Sequence, residues 1–255
     1  MLGKIRIQRI QKLHQKKYRL QEKRFIAEGT KTVLELIKHG FPIESIIATA
    51  DWIEQYTLEK QRLVCIEAEK FELEKISCLQ TTPDVLAVCE MNQITPQKIR
   101  ADQLTLVVDA VRDPGNMGTI IRLADWFGVQ QILATEDTVE WSNPKCIQAS
   151  MGSFIRLRPC YMQMDELDAL CRNNNSFAAD LDGENVYSTS FEWGGILVVS
   201  SESHGLNPIF KKSVKQILSI PSAHTSNEGP ESLNVATAAG ILLSEFYRRK
   251  DIQKR

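Results

Sequence analysis

The sequence lacks the features that would place it in several large classes. No apolar run approaches the roughly 18 residues that suggest a membrane-spanning helix. The opening MLGKIRIQRIQKLHQKKYRL has no apolar core followed by a small-residue cleavage site, so no signal peptide is expected. None of the six cysteines (Cys65, Cys78, Cys89, Cys146, Cys160, Cys171) sits in a CxxC pair, and the four histidines keep no ligand-like spacing from them. Reduced core thiols, a cytoplasmic location and no metal site are therefore expected. Internal repeats and low-complexity stretches are absent as well. So are GxGxxG and a phosphate loop ending in Lys-Ser/Thr, which argues against a dinucleotide enzyme of Rossmann type.

What is present is ordinary in bulk and uneven in detail. At 43% hydrophobic and 25% charged, 255 residues can fill two compact domains or one large one. The net charge of −1 hides an asymmetry. Residues 1–24 carry nine Lys or Arg (Lys4, Arg6, Arg9, Lys12, Lys16, Lys17, Arg19, Lys23, Arg24) against one acid, Glu22, so the rest of the chain carries −9. A smaller basic cluster (Arg248, Arg249, Lys250, Lys254, Arg255) ends the chain. Basic terminal segments suit a polyanion partner, because phosphate contacts release counterions and steer approach. A solvated helix face would look the same.

Periodicity predicts an α/β protein in two parts. Ile7, Ile10 and Leu13 recur at helical spacing and predict one basic amphipathic helix. RFIAEG, IESIIATA, RLVCIEA and VLAVCEM read as strands, alternating with helices in TKTVLELIKHG, DWIEQYTLEKQ and EKFELEKIS. The polar NQITPQKIRADQ, with Pro96, is the best linker. The expected division is a small domain over 1–92, a linker at 93–103 and a larger domain over 104–255. In the larger part LTLVVDAV, VQQILAT, FIRLRPC, SFAADLD, GGILVVSSE and KQILSIP read as strands. Their continuous apolar runs suit a parallel sheet buried on both faces.

Three strand-to-loop junctions hold the chemistry-bearing residues. In VVDAVRDPGNMGTIIRLADWFGV a buried strand ends at Asp109, and a Pro-Gly turn leads to Asn116, Gly118 and Arg122 on a helix. In ILVVSSESHGLNPIF a strand ends in Ser200, Ser201 and Glu202, and Gly205 permits a tight turn. In ILSIPSAHTSNEGPESLNVATAAGILLSEF a strand, Pro221 and a polar loop precede Ser232-Leu233-Asn234 and a long apolar helix. Loops at the carboxyl ends of strands are where α/β sheets bind ligands. Singly, each junction also has a plain reading. Asn116, Glu202 and Ser232 could be capping residues, and Arg122 a surface residue.

Together, in this order, the junctions resemble the SpoU branch of the SPOUT RNA methyltransferases. That family's N-x-G-x-x-x-R, G-x-E-x-x-G and I-P…S-L-N-V-S elements correspond to NMGTIIR, SSESHG and IPSAHTSNEGPESLNVA here, within about residues 103–249. FIAEGTKTVLELIKHGFPIESIIATAD further resembles the family's N-terminal, ribosomal-protein-L30e-like RNA-binding domain. The resemblance implies a C-terminal SPOUT domain with a parallel sheet and a deep trefoil knot, and a homodimer formed through it. It implies S-adenosylmethionine as cofactor, held largely by backbone groups, with Ser200, Ile220 and Leu233 at the cofactor-contacting positions. It assigns the RNA site to Asn116, Arg122, Glu202, Ser232 and Asn234, with Glu202 and Asn116 holding the Arg122 guanidinium. The chain departs from the pattern at Ser200, where the family has glycine, at Ala236, and in a longer loop between Pro221 and Ser232.

Methyl transfer to a ribose 2′-hydroxyl selects RNA over DNA, because only RNA carries that group. Ribosomal RNA is expected over transfer RNA by analogy with family members that have an L30e-like domain. The alternative is an RNA-binding protein of the same fold with weak or lost catalysis, motivated by Ser200.

Overall fold

The computed structural model describes residues 2–56, 63–201, 205–223 and 231–253. They fall into two compact units. Unit 1 comprises residues 1–93 and 140–155, and unit 2 comprises residues 94–139 and 156–255. No helix among the described residues is long and apolar enough to cross a membrane.

Unit 1 runs α1 (Lys4–Lys12), α2 (Lys16–Glu22), β1 (Arg24–Glu28), α3 (Thr30–Lys38), β2 (Ile43–Ala48), α4 (Ala50–Tyr56), β3 (Cys65–Glu67), α5 (Lys70–Ile76) and β4 (Val85–Glu90). Its sheet has the order β1-β4-β2-β3, antiparallel except for the β2–β3 pair. Ile10 and Leu13 are buried in one cluster with Ile26, Ile47, Leu73 and Leu86, as the helical spacing predicts. The single opening helix does not form, however. The chain turns after Leu13, and Arg19 on α2 donates from Nη1 to the carbonyls of Leu13 and His14, at 2.8 Å each. A buried guanidinium needs such acceptors, and an unbroken helix would have used them internally. The expected helix DWIEQYTLEKQ is seen as α4; its remaining residues lie outside the described ones.

The basic segment is also less free than its sequence suggests. Arg9 pairs with Glu22 and Glu44, Arg24 with Glu44 and Glu90, and Lys16 with Glu140 at 3.6 Å. Arg19, 1% exposed, pairs with Glu140. Much of the apparent surface charge is thus held by acids of the same unit.

Unit 2 begins with β5 (Leu104–Asp109), α6 (Pro114–Trp126) and β6 (Gln131–Thr135). The chain then returns to unit 1 for α7 (Pro144–Ala149) and a 3-10 turn (Ser153–Ile155). There Trp141 and Phe154 join Phe25 and Phe41 in a ring cluster with centroids 5.0–6.1 Å apart. Edge-to-face packing of such rings adds to the area they bury. FIRLRPC is therefore not a strand throughout. Its first residues, Phe154 and Ile155, are apolar because they fill the core of unit 1, and the strand starts only at Pro159.

The remainder of unit 2 is β7 (Pro159–Met162), α8 (Met164–Asn173), β8 (Ser176–Asn185), β9 (Gly195–Ser200), α9 (Pro208–Ser213), β10 (Gln216–Ser219) and α10 (Val235–Gln253). The sheet order is β10-β8-β9-β5-β6-β7, and every pairing is parallel. The central β5 is buried along its whole length, which is what a sheet covered on both faces requires. Gly195, at φ +94°, starts β9 where a side chain would meet the carbonyl oxygen of Asn175. Burial pushes the Cys171 thiol up to about 12 and that of Cys89 higher still, so both stay protonated at neutral pH.

Candidate active site

The three sequence junctions leave the carboxyl ends of β5, β9 and β10. Asp109 and Ser200, the last residues of β5 and β9, face each other in the parallel register. Two hydrogen bonds tie these ends together. Ser200 Oγ donates to Asp109 Oδ2 at 3.2 Å, and the Ser201 amide donates to the Asp109 carbonyl at 3.0 Å. The hydroxyl that replaces the family's glycine is thus engaged by a carboxylate only 3% exposed.

Beyond Asp109 the chain turns sharply. Ala110 sits at φ +52°, a conformation that costs a non-glycine residue about 1 kcal/mol. Its amide donates to Thr135 Oγ1 at 2.9 Å, which fixes the turn against β6. Asp113 then caps α6, accepting from the Asn116 amide at 2.8 Å, with Pro114 in the first turn. At the second junction Gly205, at φ +64°, closes the turn by donating to the Ser201 carbonyl at 3.1 Å. Glu202 lies outside the described residues.

At the third junction the capping residue is Asn234, not Ser232. Asn234 Oδ1 accepts from the amides of Ala236 and Thr237, at 3.0 and 3.3 Å. The other end of the same amide, Nδ2, donates to Asn116 Oδ1 at 3.0 Å. One side chain therefore caps α10 and joins it to the first turn of α6. Gly240 packs against Leu123 farther along the two helices, where a Cβ would lie 3.4 Å from the leucine methyl.

The second and third junctions border a cavity of about 180 Å³, and the first contributes no residue to it. Ser200, Ile220, Ser232 and Leu233 all line it, so four of the predicted residues meet at one place. The walls are mainly aliphatic, from Leu206, Leu218, Val235 and Leu242 among others. Among the described residues lining it, Asp180 is the one ionisable side chain and none is Lys or Arg. Such a site suits a flat, apolar ring system carrying positive charge elsewhere. It offers nothing to neutralise a pyrophosphate, which counts against a dinucleotide ligand.

Sequence reasoning missed one wall. Ala179, Asp180 and Leu181 line the cavity from within β8, where the expected strand SFAADLD has no special role. The β8–β10 register jumps there, from Ala178 opposite Ile217 to Glu184 opposite Leu218. The available signal was Gly183, since a glycine inside a strand pattern often marks a bulge or a close backbone approach. A Cβ at Gly183 would collide with the backbone of Leu218.

Arg122 is placed differently. It is exposed on α6, with no carboxylate partner among the described residues. Six positions separate it from Asn116, which puts the two about 120° apart around the helix. The Asn116 amide consequently does not hold the Arg122 guanidinium; its oxygen takes Asn234 instead. Asn116 and Asn234 also border a groove of about 640 Å³ between α6 and α10, floored by Leu123, Phe127 and Ile241.

Residues 103–244 match the SpoU rRNA Methylase family, and residues 4–87 match the MRM3-like substrate binding domain. The chain is 27% identical over 245 residues to the 23S rRNA (guanosine(2553)-2'-O)-methyltransferase RlmP of Bacillus subtilis, covering 91% of this chain and 92% of that one. A solved structure assigned to the TrmH family of RNA methyltransferases, from Porphyromonas gingivalis, is 32% identical, with a TM-score of 0.83 over 98% of this chain and 99% of that one. The AdoMet-bound rRNA methyltransferase from Sinorhizobium meliloti is 25% identical, with a TM-score of 0.85 over 97% and 96% of the two chains.

Proposed function

The chain belongs to the SpoU rRNA methylase family, and from that premise we propose that it is an S-adenosylmethionine-dependent methyltransferase of ribose 2′-hydroxyls in ribosomal RNA. The carrying observation is the strand-end cavity where Ser200, Ile220, Ser232 and Leu233 meet, with one acid and no base among the described residues of its lining. When bound, S-adenosylmethionine supplies an electrophilic methyl group on a cationic sulfur. The aliphatic walls and Asp180 suit such a ligand, and Ser200, Ile220 and Leu233 are the residues assigned to hold it.

The remaining residues act on the RNA. Arg122 carries a guanidinium, a group that serves proteins as a charge and hydrogen-bond donor rather than as a base. It acts electrostatically, stabilising the alkoxide that develops on the 2′-oxygen or the adjacent phosphate. Asn234 is a positioning residue, because its amide oxygen and nitrogen are both engaged. Asn116 retains its own NH2 group as a donor toward the substrate, and Ser232 places the ribose. Glu202 completes the set by orienting Arg122. Alignment of this kind lowers a barrier by several kcal/mol.

The reading extends to a cytoplasmic homodimer of knotted SPOUT domains. Its support is the family resemblance and two exposed aromatic side chains on the helices that border the groove, Trp126 on α6 and Tyr247 on α10, 82% and 42% exposed. The domain reading is an L30e-like RNA-binding part over 1–92 and a methyltransferase part over 104–255, of which residues 140–155 belong to compact unit 1.

The test is transfer of labelled methyl from S-adenosylmethionine to protein-free 23S rRNA, 16S rRNA and tRNA, followed by mapping. A 2′-O-methyl nucleotide in rRNA is expected. Label on a base, or only on tRNA, would refute the assignment. The alternative of lost catalysis in the same fold rests on Ser200, whose hydroxyl here bonds to Asp109. Ser200→Ala should cost about 1–2 kcal/mol of stability by removing this bond, read in denaturant unfolding. Calorimetry should show cofactor affinity within about threefold of the parent. A much tighter cofactor complex in Ser200→Ala would mean that the hydroxyl does crowd the ligand.

A further inference from the structure

A second cleft, of about 730 Å³, lies wholly in unit 1. His14 forms one side, the loop carrying Cys78, Leu79, Gln80 and Thr81 another, and Asn143 with α7 the third. We propose that this cleft binds an unpaired nucleotide of the RNA substrate, through amide and imidazole groups directed at the base and a lysine-rich rim directed at the backbone.

The chemistry of the walls argues for a base. Gln80 and Gln148 each carry amide donors and an acceptor, Asn143 keeps its NH2 donors while its oxygen accepts from the Lys145 amide, and Thr81 adds a hydroxyl that does both. Unstacked bases are read through just such groups along their Watson–Crick and Hoogsteen edges. His14 Nε2 lies 2.9 Å from the Ile76 carbonyl, so in the neutral ring Nε2 carries the proton and Nδ1 is the acceptor. Leu79 and Pro144 add apolar contact for a base face. Among the described residues no carboxylate lines the cleft, and Lys145 is the one lysine that does. The nearby Glu28 carboxylate is taken up by Ser77 Oγ and the Cys78 amide. Partial burial and Glu28 push the Cys78 thiol up to about 11, so the cleft holds no thiolate at neutral pH.

The rim explains the basic segment that the active site leaves unused. His14 sits in the turn between α1 and α2, flanked by Lys12, Lys16 and Lys17, all exposed. Lys12 and Lys17 both lie over the Tyr18 ring, at 5.6 and 5.8 Å from its centroid. Arg9, Arg19 and Arg24 are bound to acids, but Lys12 and Lys17 have no carboxylate partner among the described residues. Lys12 and Lys17, two of the cations left for phosphates, are thus close to His14 in the chain, beside the cleft it lines. Residues 143–148 belong to the segment that returns to unit 1, so the cleft exists only because of that return.

This inference rests on RNA being the substrate, and its test separates the two. The full chain is assayed for binding to protein-free 23S rRNA and for methylation, as the parent, as Gln80→Ala/Gln148→Ala, and as Lys38→Ala, which removes another exposed lysine of the same unit. Failure of the parent to methylate would sink the proposed function but leave the binding comparison intact. The double variant should bind the rRNA roughly tenfold more weakly. Its KM for RNA should rise while kcat, cofactor affinity and melting temperature stay unchanged, and Lys38→Ala should match the parent. A 4-thiouridine-substituted rRNA should cross-link to the peptides holding residues 78–81 and 143–148. Unchanged affinity in the double variant, an equal loss in Lys38→Ala, or cross-links confined to other peptides would each overturn the proposal.

Discussion

Arg122→Ala is expected to lower the methylation rate by about two to three orders of magnitude at saturating cofactor and RNA, with folding and cofactor affinity unchanged. The side chain is exposed and makes no ion pair among the described residues, so its loss costs the fold little. It does not line the cofactor cavity, so calorimetric affinity for S-adenosylmethionine should stay near the parent value. Arg122→Lys keeps the charge but loses the planar fork, and should recover only part of the rate. Single-turnover methylation of rRNA reads the chemical step directly. An Arg122→Ala protein with parental turnover would remove the residue from the mechanism.

The largest effect on stability is expected at the Arg19–Glu140 pair. Arg19 is 1% exposed, and the Glu140 side chain is 10% exposed. Removing one partner of a buried pair typically costs about 3–5 kcal/mol, because the other charge is stranded in a poorly polarisable setting. Arg19→Ala also takes away the donor to the Leu13 and His14 carbonyls, which hold the turn between α1 and α2. Glu140→Ala leaves the guanidinium with those carbonyls alone. The Arg19→Met/Glu140→Leu double variant should be far less damaged than either truncation, since neither charge then remains buried. Chemical denaturation of the intact chain, followed by tryptophan fluorescence, measures all of these. Single variants within about 1 kcal/mol of the parent would show that the pair contributes little.

Arg19 also shows where sequence reading stops. Its charge counts toward the basic segment on composition alone, yet it is buried against an acid 121 positions away. Pairing at that distance leaves no trace in local periodicity. Strands were legible because β5 and β9 are runs of mainly apolar residues, as a covered parallel sheet demands. Of the cavity residues, Ser200 and Ser232 stand out at a strand end and before a helix, whereas Ile220, Leu233 and the cofactor role of Ser200 come only from the family resemblance. The double use of Asn234 was not legible, since a capping asparagine and a ligand-facing one look alike in sequence. Nor was the Ala179–Leu181 wall, because a bulge shifts register without changing composition. Phe154 misled for a related reason. Apolar character says that a residue is buried, not in which core.

The return of residues 140–155 to unit 1 has a consequence during synthesis. A chain emerging from the ribosome amino end first can form the β1-β4-β2-β3 sheet early. It cannot close the Phe25–Trp141–Phe154 cluster, or neutralise Arg19, until more than half of its length has been made. In that interval Phe25 and a charged guanidinium have no native partners from the returning segment, a state prone to wrong association. A nascent chain arrested before Trp141 should therefore be protease-sensitive within its first 93 residues and become resistant once Ile155 has cleared the exit tunnel. The two units are made in sequence but must be finished together.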